Sequence, residues 1–218
     1  MLRNVDLSEI SDGKLYDAND MVKADCKGCD GCSACCRGMG KSIVLDPLDV
    51  HRLTTGLGVP FEALLSQHIE LNVVDGLILP NLKMTEGADA CPFLNEQGRC
   101  SIHAYRPGIC RLFPLGRFYE NDSFRYFLQV HECPKPSKAK IKVYKWLDTD
   151  DIRTYEQFIS DWHYFLKALQ ERIAGMEDQA QIRSTCMYVL QQFYLAPCED
   201  FYEAFHGRLD EARKHFHM

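Results

Sequence analysis

The sequence has no apolar run long enough to cross a bilayer. Its longest apolar pieces resemble Leu77-Ile78-Leu79, whereas a spanning helix needs about 20 such residues. The opening stretch, MLRNVDLSEISDGKLYDAND, is polar and acidic and lacks a signal-type apolar segment, so a cytoplasmic protein without membrane contact is expected. Phosphate loops, GxGxxG turns and Ser-His-Asp spacings are missing, as is a glycine-rich methyl-donor motif. That last gap weighs against a self-sufficient methyltransferase. Internal repeats and low-complexity segments are also absent. Basic residues are outnumbered, 25 Lys and Arg against 31 Asp and Glu for a net charge of -6. Phosphate backbones are bound chiefly by Lys and Arg, so nucleic acid is not the expected partner. The local basic run KPSKAKIKVYK, Lys135 to Lys145, reads as a solvated linker or edge strand.

What the chain does have is cysteine, eleven in 218 residues. A reducing cytosol disfavours disulfides, and dense cysteine there points to metal ligation. Geometry agrees. Cys35 and Cys36 are adjacent, and Cα atoms one peptide apart lie about 3.8 Å from each other, below the usual disulfide range.

Nine of the eleven cysteines fall between Cys26 and Cys133. The chain therefore divides into an N-terminal segment (1–25), a cysteine-rich domain (26–140) and a helical region (141–218). The expected fold class is α+β, short strands and helices pinned by cysteines, followed by antiparallel helices. KSIVLD reads as a strand. Asp46 and Pro47 open a helix as N-cap and first residue, and Phe61, Leu64, Leu65 and Ile69 mark another. Hairpins are expected at Asp75-Gly76 and Asn121-Asp122, with Phe124, Tyr126, Leu128 and Val130 alternating onto one face. Beyond Asp150, Tyr155, Phe158, Ile159, Trp162, Phe165, Leu166, Leu169 and Ile173 stripe a long helix. A second helix spans Gln179 to Leu195. A third carries Phe201, Phe205, Leu209 and Ala212 and is interrupted at Gly207.

The first cysteine cluster, Cys26, Cys29, Cys32, Cys35 and Cys36, reads C-x2-C-x2-C-x2-CC. Two intervening residues let a chain turn tightly around one metal. Three such steps exceed a zinc knuckle and approach the runs that hold iron–sulfur clusters, in which a remote cysteine followed by proline completes the set. Cys91-Pro92 and Cys133-Pro134 have that form. The second constellation is Cys91, Cys100, Cys110 and Cys133. A turn at NEQG brings Cys91 and Cys100 together, and Pro107-Gly108 sets Cys110. Zinc sites and cubane clusters take four ligands each, so nine thiols supply two sites and one spare. A single centre with leftover thiols fits as well. In the two-site arrangement Cys35 and Cys36 serve neighbouring centres.

CDGCSACCRG followed by CPFLNEQGRCSIHAYRPGICRLFP resembles the YkgJ-type cysteine cluster family, also described as the CxxCxxCC zinc- or iron-chelating domain. The matching positions are Cys29, Cys32, Cys35, Cys36, Cys91 to Leu94, Gly98 to His103, Arg106-Pro107, Cys110-Arg111 and Pro114. The cysteine layout is also similar to that of flagellin lysine N-methylases, which that resemblance associates with an iron–sulfur cluster and methyl transfer. The resemblance implies a bound metal more than a reaction. Three functions are thus open. The first is thiolate-held metal, an iron–sulfur cluster of 4Fe-4S type preferred over zinc, for electron transfer or redox and metal handling with a protein partner. The second is a protein-modifying enzyme of the lysine N-methylase type, acting on a protein substrate. The third is a structural zinc domain that presents the aromatic helices to a partner.

Other residues take plainer roles. His103 and His131 are expected to be donors or packing groups, and Arg106 and Arg111 to offset thiolate charge. Asp46 is a cap, Asp30 and Asp49 are solvated acids, and Cys186 and Cys198 are core or surface thiols.

Overall fold

A computed structural model describes residues 6–26 and 32–218. Cys29 and Asp30 lie outside the described residues. Three two-stranded antiparallel ribbons carry the β structure among these residues. Strand β1 (Met21–Asp25) pairs with β6 (Ala139–Lys142), β2 (Ile69–Val74) with β3 (Leu77–Leu82), and β4 (Leu115–Glu120) with β5 (Ser123–Leu128). The helices are α1 (Leu7–Ile10), α2 (Pro47–Leu57), α3 (Phe61–Gln67), α4 (Gly108–Leu112), α5 (Val143–Leu147), α6 (Ile152–Ala174), α7 (Gln179–Leu190) and α8 (Phe201–Phe216). The mixture is α+β, as expected.

Turn chemistry sets both consecutive hairpins. Asp75 and Gly76 have φ of 48° and 89°, and Asn121 and Asp122 have 52° and 55°. Two successive positive φ values define the turn whose twist matches that of the flanking strands, and Asn, Asp and Gly tolerate them best. Both turns sit where the sequence puts them.

Asp46 caps α2 by accepting the Asp49 N–H at 2.8 Å, while the Asp49 carboxylate reaches back to the Asp46 N–H at 3.2 Å. The helix begun at Phe61 stops at Gln67, because Ile69 turns into β2 rather than completing the apolar stripe. KSIVLD is not a full strand. It touches the edge of β3 through one bridge, Val44 to Asn81, with Leu45 N–H donating to Pro80 O and Leu82 N–H to Ile43 O. The pairing ends there because Asp46 is committed to capping α2.

The predicted apolar stripe of α6 is buried along its length, apart from the partly covered Leu166. Helix α7 runs on through a wider turn, Gln191–Leu195, and ends before Pro197. Helix α8 continues through Gly207, contrary to the sequence reading. A lone glycine costs a helix only about 1 kcal/mol, and Phe205 and Leu209 on either side are buried.

Two hydrophobic cores result among the described residues. The larger joins α2, α3, β2 and β3 (Leu53, Leu64, Leu77, Leu79) to the long helices (Phe158, Phe165, Leu169, Phe205). The smaller gathers Val22, Leu112, Leu115, Tyr126, Val143 and Leu147. Phe124 and Ile152 pack against both.

Gly56 on α2 allows the loop between Cys100 and Cys110 to lie against that helix. A Cβ there would stand 2.5 Å from the Tyr105 ring, at the ring carbon nearest its backbone. Gly56→Ala should therefore cost about 1–3 kcal/mol, the range for overpacking. At Gly207 nothing lies within 4 Å of an added Cβ, and Gly207→Ala should stabilise by about 0.5–1 kcal/mol. Urea denaturation of both variants checks the pair, and equal effects would contradict this packing.

Candidate metal centre

The two cysteine segments meet along a backbone seam. Cys91 N–H donates to Cys36 O at 2.7 Å, Gly38 N–H to Asp89 O at 2.7 Å, and Arg37 bridges Ala90. Positive φ values at Gly38, Gly40 and Asp89 turn the chain sharply on both sides. Cys35 and Cys36 lie in a short 3-10 turn, Ala34–Cys36.

From Cys91 the chain turns at Asn95–Arg99, where Asn95 N–H donates to Arg99 O and Gly98 N–H to Asn95 O. Leu94 and Cys100 then bridge, so the NEQG turn returns Cys100 toward Cys91 as expected. Pro107 caps α4, which carries Cys110. The five thiols of Cys35, Cys36, Cys91, Cys100 and Cys110 thereby come within electrostatic reach of one another. Cys35 and Cys36 both couple to the thiols of the second segment.

Their protonation preferences differ. The Cys35 thiol donates to the Cys36 sulfur, which holds Cys36 below the ordinary thiol range and pushes Cys35 up. Burial raises Cys91 and Cys100. It also raises Cys110, where Asp49 adds to the effect. Arg106 opposes the rise at Cys35 and Cys100, in keeping with a charge-offsetting role.

The other predicted thiols are placed differently. Cys26 is buried at the end of β1, while Cys32 and Cys133 are half-buried. The Cys133 carbonyl accepts from Lys138 Nζ at 3.1 Å. His103 is exposed and pairs with Arg106 Nη1 at 3.0 Å rather than with a sulfur. His131 is exposed too. Among the described residues no three Cys, His, Asp or Glu side chains close to metal-ligating geometry. The five sulfurs are gathered without being drawn onto one point.

Arg111 and Asp49 depart from the sequence reading. Arg111 is buried and clamps carbonyls, donating to Ala104 O, to Arg106 O at 3.2 Å and to Asp148 O at 2.8 Å. It stitches the Cys100–Cys110 loop to α4 and to the end of α5. Asp49 is buried rather than solvated. Its Oδ1 accepts the Gly108 N–H at 2.6 Å, two residues before Cys110. Burial, with Asp46 beside it, holds the Asp49 carboxyl well above the usual range. No sequence signal marks this contact, because 59 residues separate its partners. Around the two acids lies a polar layer of Arg52, Arg117 and Tyr155, in which Arg117 Nη2 donates to Tyr155 Oη at 2.8 Å.

The donor set fits a soft metal. Thiolates select zinc or iron–sulfur centres over hard cations, and buried thiols give up their protons only to a cation that repays the lost hydration.

Removing Asp49 leaves a buried N–H without a partner. Asp49→Ala should destabilise the fold by about 1–3 kcal/mol, and Asp49→Asn, which keeps an acceptor, by less. The carboxyl's raised folded-state affinity for protons means that its contribution to stability declines as pH rises above the ordinary carboxylate range. Thermal unfolding from weakly acidic to neutral pH should accordingly slope less in Asp49→Asn than in the parent.

A family profile matches residues 28–143, more than half of the chain: CxxCxxCC, described as a "putative zinc- or iron-chelating domain". The matched segment contains every predicted ligand except Cys26. No curated protein and no solved structure matches, so the likeness to flagellin lysine N-methylases rests on cysteine layout alone. Gathered thiols and matched segment coincide, and the chain belongs to the CxxCxxCC family of zinc- or iron-chelating domains.

Proposed function

We propose that the chain is an iron–sulfur protein in which Cys36, Cys91, Cys100 and Cys110 hold one centre, of 4Fe-4S type. The observation that carries this reading is the seam between Cys36 and Cys91, which presents four thiols of two distant segments to one another. Four is the complement of a cubane cluster. Cys35 donates a hydrogen bond to the Cys36 sulfur, the kind of contact that tunes a cluster's potential. Cys32 and Cys133, with Cys29 and Cys26, are the thiols left for a second centre.

When bound, such a centre supplies one-electron chemistry, and the role that follows is electron transfer or metal handling with a protein partner in the cytoplasm. The chain's own part is to bury the sulfurs against the larger core, to place Arg106 near Cys35 and Cys100, and to fix Cys110 through Asp49. Zinc is the competing occupant, because a closed tetrahedral site takes the same four thiolates.

Anaerobic purification followed by iron, sulfide and zinc analysis decides between them. A brown protein with matching iron and sulfide is expected. Colourless protein with stoichiometric zinc would overturn the cluster assignment. Cys36→Ser and Cys110→Ser should each lose the centre. Cys35→Ser, which preserves a hydrogen-bond donor, should retain it with a shifted potential. Retention of metal by Cys110→Ser would show the ligand set to be wrong.

A further inference from the structure

Cys198 lies in the connection leading into α8, far in sequence from the gathered thiols. Its Sγ stands 3.7 Å from His51 Nδ1, across 147 residues of sequence. Cys198 is half-buried rather than sealed in the core. His51 sits on α2 with its ring against Phe201, centroids 5.4 Å apart, and this contact fixes its orientation. Burial, with Arg52 and Arg208 nearby, holds His51 below the ordinary imidazole range. The ring is therefore neutral at neutral pH, and in its Nε2-protonated tautomer Nδ1 accepts the Cys198 proton. Arg208 Nη2 donates to Pro197 O at 2.7 Å, which anchors a guanidinium beside the thiol's own connection. The neighbouring acid Asp200 is occupied in capping α8 through the Glu203 N–H.

A thiol, a base within hydrogen-bond reach, a third group orienting the base and a nearby cation form the arrangement that activates a sulfur nucleophile. Cys186 shows the contrast. It is 1% exposed and faces the Gly76 carbonyl at 3.8 Å, which supplies neither access nor a base.

We propose that Cys198 and His51 form a nucleophile–base pair, separate from the metal thiols, at which Cys198 is oxidised by a small peroxide. The sulfur attacks one peroxide oxygen while His51 Nδ1 takes the thiol proton. The S–O bond forms as the O–O bond breaks, and the departing oxyanion takes the proton from His51. The products are a sulfenic acid on Cys198 and an alcohol, or water when the oxidant is hydrogen peroxide. Sulfur loses the two electrons that the peroxide gains.

The test uses the metal-loaded protein as purified. Iodoacetamide is added at limiting concentration in competition with glutathione, and each cysteine is followed by peptide mass spectrometry. Cys198 should alkylate about tenfold faster than glutathione, a modest share of the 10²–10⁴ that a positioned base contributes. His51→Gln should remove most of that advantage while metal content and circular dichroism remain those of the parent. After one equivalent of hydrogen peroxide, dimedone should mark Cys198 in the parent and leave Cys198→Ser unmarked at that peptide. Wild-type Cys198 reacting no faster than glutathione overturns the proposal whether or not the His51 variant folds. So does dimedone labelling spread evenly over other cysteines. Metal content measured on the same samples keeps this outcome distinct from failure of the cluster assignment.

Discussion

The backbone seam that joins residues 36–40 to 89–91 is the contact on which the gathering of thiols depends. Cys36 and Cys91 are separated by a helix pair and a hairpin, α2, α3, β2 and β3. Two backbone hydrogen bonds, Cys91 N–H to Cys36 O and Gly38 N–H to Asp89 O, enclose the Arg37–Ala90 pair and bring the ends of that insertion together. Each backbone hydrogen bond is worth about 1 kcal/mol net, too little to close so long a loop alone. The inserted elements make up the difference by burying Leu53, Leu64, Leu77 and Leu79 in the larger core. The cysteine segments then emerge side by side as the two ends of a folded unit. The thiols are thus placed by hydrophobic burial at a distance, and the seam fixes only their register.

The second brace is polar. A carboxyl group taken out of water needs hydrogen-bond partners, and Asp49 finds the N–H groups of Gly108 and of its own capping partner Asp46. A side chain that began as half of a helix cap thereby becomes a strut between α2 and α4. Gly108 admits it, because an added Cβ would lie 2.9 Å from Tyr155 Oη and 3.5 Å from Asp49 Oδ1. This also explains why the Pro107-Gly108 turn holds Cys110 so firmly. The proline sets the entry into α4, and the glycine lets the strut close.

Much of this was legible in the sequence where the signal is local. Asp75-Gly76 and Asn121-Asp122 announce their hairpins because two residues determine the turn, and Asp46-Pro47 announces α2 because capping involves adjacent backbone. The α6 stripe is legible because burial repeats along one helix. KSIVLD misled because its apolar pattern is satisfied by two hydrogen bonds to an edge rather than by a ladder. Gly207 misled because local helix cost was weighed without the burial on either side. Asp49, Arg111 and the His51–Cys198 contact were invisible for a common reason. Each joins chain segments brought together only by packing, and an aspartate three residues into a helix looks the same in a sequence whether it faces water or a buried amide.

Helix α4 shows how the site and the fold are made continuous. In five residues it presents Cys110 to the thiols and the larger core, Arg111 to the carbonyls of Ala104, Arg106 and Asp148, and Leu112 to the smaller core. A bond formed at the Cys110 sulfur therefore pulls on an element that both cores share. Metal binding and folding draw on the same free energy when a site is assembled from distant segments. In the proposed centre that coupling would pass through a helix too short to be stable alone, kept helical by what its three side chains touch. Loosening any one of those contacts weakens the other two, so the residues that hold Cys110 in place also hold the two halves of the protein together.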